Sequence, residues 1–152
     1  GGSLASHKKY SYMASLQARR WGKWSHVCGA TLIAPDVLLS AAHCIGSYSR
    51  IEIGRFDFSD ESEVKNGSAV QLWPQFDVHH PNYTTTSRNL QGNSHDFLLI
   101  KMSWPTYEFS PIKLNKNDSI PVNEGERLRT AGWGVYDWDY DDRSNTWSPI
   151  SS

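Results

Sequence analysis

With 152 residues and 38% hydrophobic content, the chain can bury one core, or one core and the beginning of a second. Fifteen basic residues nearly cancel sixteen acidic ones, leaving a net charge of −1, and no basic stripe stands out, so binding to nucleic acid through phosphate neutralisation is excluded. No apolar run approaches the ~20 residues of a membrane helix, and Gly1-Gly2-Ser3 has neither the basic start nor the apolar run of a signal peptide, so no membrane partner is expected.

Along the chain, short apolar runs alternate with turn signals, and no helical period is sustained over three turns, which predicts an all-β fold. Strands are expected over residues 12–17, 27–33, 37–40, 51–55, 71–78, 97–102 and 127–132. Breakers such as Ala34-Pro35-Asp36, Asn66-Gly67-Ser68 and His80-Pro81-Asn82 separate them. That spacing suits a small closed barrel better than a long open sheet.

Cys28 and Cys44 are the only cysteines, too few for a disulfide-rich scaffold or a four-cysteine zinc site but enough for one bridge; the other reading is two buried thiols. A bridge would close a loop of about 15 residues and stabilise the fold by ~3 kcal/mol. Three sequons, at Asn66, Asn82 and Asn117, fall in polar, turn-rich segments. Together with a bridge they favour the secretory route and N-glycosylation at these positions.

The run Ser40-Ala41-Ala42-His43-Cys44 sets a histidine just beyond the apolar strand 37–40. A lone histidine in such a place is more often structural than catalytic, and five others (His7, His26, His79, His80 and His95) occur in the chain. Asp96 changes that balance, because it opens the apolar run Asp96-Phe97-Leu98-Leu99-Ile100-Lys101-Met102. A partly desolvated carboxylate needs a hydrogen-bonded partner, and an imidazole N–H supplies one while being held in a single tautomer. The alternative is an aspartate capping its own turn.

The acidic loop containing Asp57, Asp60, Glu61 and Glu63 reads as a charged, solvated turn rather than a cation site. Beyond Trp133, where aromatic and acidic residues alternate from Tyr136 to Tyr140 and Asp141 and Asp142 follow, a solvated loop is expected for the same reason. No metal and no cofactor is called for.

Several segments, in order, resemble the N-terminal half of a trypsin-like serine protease of the chymotrypsin fold. Tyr12-Met13-Ala14-Ser15-Leu16-Gln17 is similar to the first barrel strand, Cys28-Gly29-Ala30-Thr31-Leu32-Ile33 to the segment with the first half-cystine, and Ser40-Ala41-Ala42-His43-Cys44 to the signature of the catalytic histidine. His80-Pro81-Asn82-Tyr83 resembles the loop before the catalytic aspartate, the run from Asp96 to Lys101 the strand that begins with it, Ser110-Pro111-Ile112-Lys113-Leu114 the interdomain crossing, and Thr130-Ala131-Gly132-Trp133-Gly134 the opening of the second barrel.

The resemblance implies the first six-stranded antiparallel β-barrel of a double barrel plus the start of the second, divided at about 1–110, 111–126 and 127–152. It implies His43 as general base, Asp96 as its orienting carboxylate, and a Cys28–Cys44 bridge tethering the histidine's turn. The family's Gly-Asp-Ser-Gly-Gly nucleophile run has no counterpart here, since Ser144, Ser148, Ser151 and Ser152 lack flanking glycines. Gly1-Gly2 resembles the end of the family's Ile-Val-Gly-Gly activation sequence without its Ile-Val.

The expectation is therefore a secreted serine endopeptidase acting on peptide or protein substrates, represented by a fragment that is inactive until joined by the C-terminal barrel of the same protein. A secreted, non-catalytic homologue with a binding or regulatory role is the first alternative. The second is a carbohydrate- or protein-binding β module using Trp21, Trp24, Trp138 and Trp147, expected in loops.

Overall fold

The computed structural model describes residues 2–84, 94–116, 124–141 and 146–151. Seven strands form one antiparallel sheet: β1 (Met13–Arg20), β2 (Lys23–Ala34), β3 (Val37–Ser40), β4 (Arg50–Ile53), β5 (Val70–Leu72), β6 (Pro74–His79) and β7 (Leu98–Met102), in the order β5-β4-β1-β2-β3-β7-β6. The two edge strands are consecutive in the chain, with only Trp73 between them, so the sheet must curl until its edges meet at that residue. Counted as one bent strand, β5 and β6 make this a six-stranded barrel of the expected chymotrypsin-like kind.

The bend explains why the single strand expected over 71–78 is two. Pro74 has no N–H to donate to a ladder, and the chain breaks at Trp73-Pro74, passing from pairing with β4 to pairing with β7. Likewise the strand expected over 51–55 stops at Ile53, because Gly54 takes φ +81°.

Inward-facing residues follow the two-residue period of a strand. Ala14 and Leu16, Ala30 and Leu32, Ile51 and Ile53, and Leu98, Ile100 and Met102 are all buried and join Leu38, Cys44, Tyr48 and Leu72 in one core. Each fully buried leucine or isoleucine contributes roughly 1.5–3 kcal/mol. A bulge opposite Leu16 and Gln17, where Val27 is the extra residue, shifts the register of β2 just before Cys28.

The polar side of the barrel wall holds a network that the sequence did not announce. Glu52, buried in β4, accepts from Gln17 Nε2 at 2.8 Å and Gln71 Nε2 at 2.7 Å and pairs with Arg50 (3.0 Å) and Arg55 (3.2 Å). Glu63, expected in a solvated turn, is instead buried in the short helix α1 (Ser62–Lys65) and accepts from the backbone N–H groups of Phe56 and Asp57 at 3.1 and 3.3 Å. The side chains of Asp57 and Asp60 accept from Ser59 and Ser62 of their own loop, and these bonds hold both carboxyls below the ordinary carboxylate range.

Two expectations for the C-terminal part are corrected. Residues 127–132 form no strand, and beyond Trp133 the solvated loop is replaced by an antiparallel pair, β8 (Val135–Asp141) with β9 (Thr146–Ser151), separate from the barrel sheet. Trp24, Trp138 and Trp147 thus lie on strands and only Trp21 lies in a turn. Trp133 anchors this region: its Nε1 donates to Phe56 O at 3.1 Å and its ring packs on Phe58 and His26. Among the described residues no helix is long and apolar enough to cross a membrane.

Candidate active site

Antiparallel pairing of β3 with β7 sets Ser40 opposite Leu98, so the chain leaving β3 and the chain entering β7 share one end of the barrel. After Ser40 the backbone stays extended at Ala41 and then makes one 3₁₀ turn, Ala42–Cys44. Ala42 and Cys44 are buried while His43 faces out, because the turn packs its two small residues on the core and leaves the middle position exposed. Two ties fix the turn to β2: Ser40 Oγ donates to Gly29 O at 2.8 Å, and Cys44 is disulfide-bonded to Cys28.

Asp96 is set from the other side. His95 adopts φ +56°, Phe97 N–H donates back to His95 O at 2.7 Å, and His80 N–H donates to Phe97 O at 3.0 Å. The His80 and His95 rings stack with centroids 4.6 Å apart. These contacts aim the carboxylate at the His43 turn across a separation of 53 residues. Oδ2 lies 2.7 Å from His43 Nδ1, and Oδ1 accepts the His43 backbone N–H at 2.8 Å.

An ionised carboxylate only accepts, so Nδ1 must carry a proton, and in the neutral ring Nε2 is then the nitrogen with the free lone pair. The His43 side chain is 54% exposed and that of Asp96 25%, which leaves the ring accessible and its partner largely shielded. The arrangement can take a proton from an incoming group at Nε2 and stabilise the resulting imidazolium.

Cys28, His43 and Cys44 place two sulfurs and a ring nitrogen within 4.8 Å of one another, which superficially looks like a ligand set. Both sulfurs are consumed in the disulfide, and metal ligation requires thiolates. The cluster is therefore a tether beside a histidine.

A second hydrogen-bonded histidine, paired with a hydroxyl, escaped sequence reasoning. His26 Nδ1 lies 2.8 Å from Ser15 Oγ, and the ring stacks on Phe58; burial lowers its pKa from the ordinary 6.5. Ser15 is fully buried, so no substrate can reach its hydroxyl and the pair is structural. Its only sequence signal is the placement of a histidine two residues before Cys28.

Of the expected glycosylation positions, Asn66 and Asn82 are exposed in turns, and Asn66 Oδ1 accepts Ser68 N–H at 2.9 Å; Asn117 lies outside the described residues.

Comparison with known proteins bears on the family and the fold. The Trypsin family model matches residues 1–148. Duodenase-1 of Bos taurus is 31% identical over 137 residues, covering 88% of this chain and 50% of its own length. Granzyme B of Rattus norvegicus is 31% identical, with 88% and 51% covered, and Trypsin-3 of Salmo salar is 31% identical, with 88% and 50% covered. The chain spans about half the length of the curated relatives it matches. Among solved structures, the Drosophila Grass clip serine protease of the Toll pathway superposes with a TM-score of 0.61 at 21% identity, over 75% of this chain and 35% of that one, and so shares its fold. The chain belongs to the trypsin-like serine protease family.

Proposed function

We propose that His43 and Asp96 are the general base and orienting carboxylate of a secreted serine endopeptidase. In this reading a serine hydroxyl supplied by polypeptide outside these 152 residues loses its proton to His43 Nε2 as its oxygen attacks the peptide carbonyl. The imidazolium then gives that proton to the departing amine, leaving an acyl-enzyme that water hydrolyses by the same route. Asp96 stays ionised throughout and holds the ring.

The observation that carries the proposal is the double contact of one carboxylate with the His43 ring and backbone, at 2.7 and 2.8 Å. A carboxylate capping its own turn would not reach a residue 53 positions away.

Two further observations support a partner barrel from the same protein. The relatives are about twice as long, and the outer face of β6 and β7 leaves Phe76, Val78 and Leu99 exposed, as is Phe97 just before β7, with Val78 paired directly to Leu99. An apolar face of that kind is ordinarily covered. On this reading residues 1–110 are the first barrel, 111–126 the crossing and 127–152 the start of the second. The chain alone is inactive, and Asn66, Asn82 and Asn117 carry glycans in the secretory pathway.

The test is hydrolysis of a peptide substrate together with labelling by a serine-directed fluorophosphonate. The 152-residue chain should do neither. A longer polypeptide containing the nucleophile should do both, and His43→Ala should abolish both. Unchanged labelling of that variant would contradict the general-base role.

A further inference from the structure

The β1–β2 hairpin projects beyond the barrel. β1 pairs with β4 only from Ala14 to Gln17, and β2 pairs with β3 only from Thr31 onward. The last three rungs, Ala18↔Ser25, Arg19↔Trp24 and Arg20↔Lys23, belong to the hairpin alone. Its tip is a two-residue turn, Trp21-Gly22, with φ +47° and +81°, the mirror-image turn that matches strand twist.

Three features of this tip do not serve folding. The first turn position favours Asn, Asp or Gly, yet tryptophan occupies it in the left-handed region, at a cost of roughly 1–2 kcal/mol. The same indole is 99% exposed and contributes nothing to the core. Arg20 and Lys23 are direct cross-strand partners, and like charges so placed repel.

No ion pair joins Arg19, Arg20 or Lys23 to an acid among the described residues. Three cations therefore crowd five residues of a chain whose net charge is −1. The base of the ribbon, in contrast, is firmly mounted: the Arg50 guanidinium, itself held by Gln17 and Glu52, stacks 4.1 Å above the Trp24 ring, and Cys28 is bonded to Cys44.

We infer that the tip formed by Arg19, Arg20, Trp21 and Lys23 is a docking surface for an acidic, extended segment of a protein partner. Its carboxylates neutralise the three cations and an apolar side chain covers the indole. The pairing of Trp with Arg is the composition that dominates binding energy at protein interfaces, and a rigid ribbon loses little entropy on association. A sulfated polysaccharide would answer the charge and leave the indole uncovered. The surface is independent of His43 and Asp96, and its occupancy is read without turnover.

The experiment measures fluorescence anisotropy of a labelled 12-residue peptide repeating Asp-Glu-Phe. The comparators are the same length of Asn-Gln-Phe, an Asp/Glu-only peptide and a heparin oligosaccharide. The unsubstituted chain should bind the first peptide, with an affinity that falls as salt is raised. R20E/K23E should weaken it by about tenfold or more and flatten the salt dependence. Trp21→Asn should weaken it by about fivefold while raising the thermal midpoint by about 2 °C or more, since asparagine tolerates the turn. Lys65→Glu, on α1, should leave it unchanged. Equal binding by all variants, no binding to the unsubstituted chain, or tighter binding of heparin with no effect of Trp21→Asn would each overturn the inference.

Discussion

Asp96 grips His43 at two points, its Oδ2 2.7 Å from Nδ1 and its Oδ1 accepting the backbone N–H at 2.8 Å. The second contact fixes where the turn sits, and the first fixes which nitrogen carries the proton. The two can be separated by substitution. Asparagine at position 96 can still accept the backbone N–H through its carbonyl, but it presents N–H groups to Nδ1 and so drives the ring proton to Nε2. In the nucleophile-containing polypeptide, Asp96→Asn should lower kcat by about ten-thousandfold, the magnitude established for this change in proteases of this fold. The imidazole ¹⁵N shifts should show the tautomer exchanged and the far-ultraviolet spectrum should be preserved. A loss of less than about tenfold would remove Asp96 from the orienting role.

Glu52 is the hub of the buried polar wall, bonded to Gln17 and Gln71 and paired with Arg50 and Arg55. Removing its charge takes the nearest carboxylate from two guanidinium groups, of which the buried Arg55 keeps only Glu63, at 3.7 Å. Glu52→Ala should cost ~3–5 kcal/mol in urea unfolding. The double change Glu52→Leu with Arg55→Met should cost less, because it also removes the more deeply buried of the two guanidinium groups that lose a partner. If the double variant proves the less stable of the two, the network does more than satisfy itself.

Gly54 ends β4 at φ +81°, and a Cβ there would sit 2.4 Å from the Phe109 ring and 2.8 Å from Ser68 O. The backbone oxygen cannot move away cheaply. Gly54→Ala should therefore destabilise the chain by ~2 kcal/mol or more, the sum of a left-handed backbone penalty and a steric clash. Phe109→Leu should recover part of that loss in a double-mutant cycle, since it removes the ring half of the clash.

Much of the barrel was readable from alternation alone: 14 and 16, 30 and 32, 51 and 53, and 98, 100 and 102 repeat every second residue and all face the core. His43 and Asp96 were readable as a pair because a carboxylate at the head of an apolar strand needs a donor. Their meeting depends on Ser40 lying opposite Leu98, a long-range register that local pattern does not contain.

What stayed hidden had a common physical cause, the override of local signals by tertiary pairing. Trp73-Pro74 looks like the middle of one strand and is the corner where the barrel closes. Glu63 looks like one acid among several and is buried by the backbone donors of Phe56 and Asp57. From Val135 to Asp141 the aromatic and acidic residues alternate with a strand's period, but the density of aspartates spoke for solvent and masked it.

His26 gives the stability a pH dependence whose sign follows from its surroundings. Burial against Phe58 and Trp133 disfavours the imidazolium, so the pKa in the folded state lies below the ordinary 6.5 that the unfolded chain retains. Below about pH 6.5 the unfolded state therefore binds more protons than the folded one. The contribution of this histidine is fully present above that pH and is lost as the pH falls toward the folded-state value. Between pH 8 and 5 the thermal midpoint of the unsubstituted chain should fall more steeply than that of His26→Asn, which keeps a polar partner for Ser15 Oγ and cannot titrate. The depressed carboxyls of Asp57 and Asp60 titrate below this window and do not interfere. Parallel curves for the two proteins would show that His26 binds protons equally in the folded and unfolded states across the range, and the burial argument would fail.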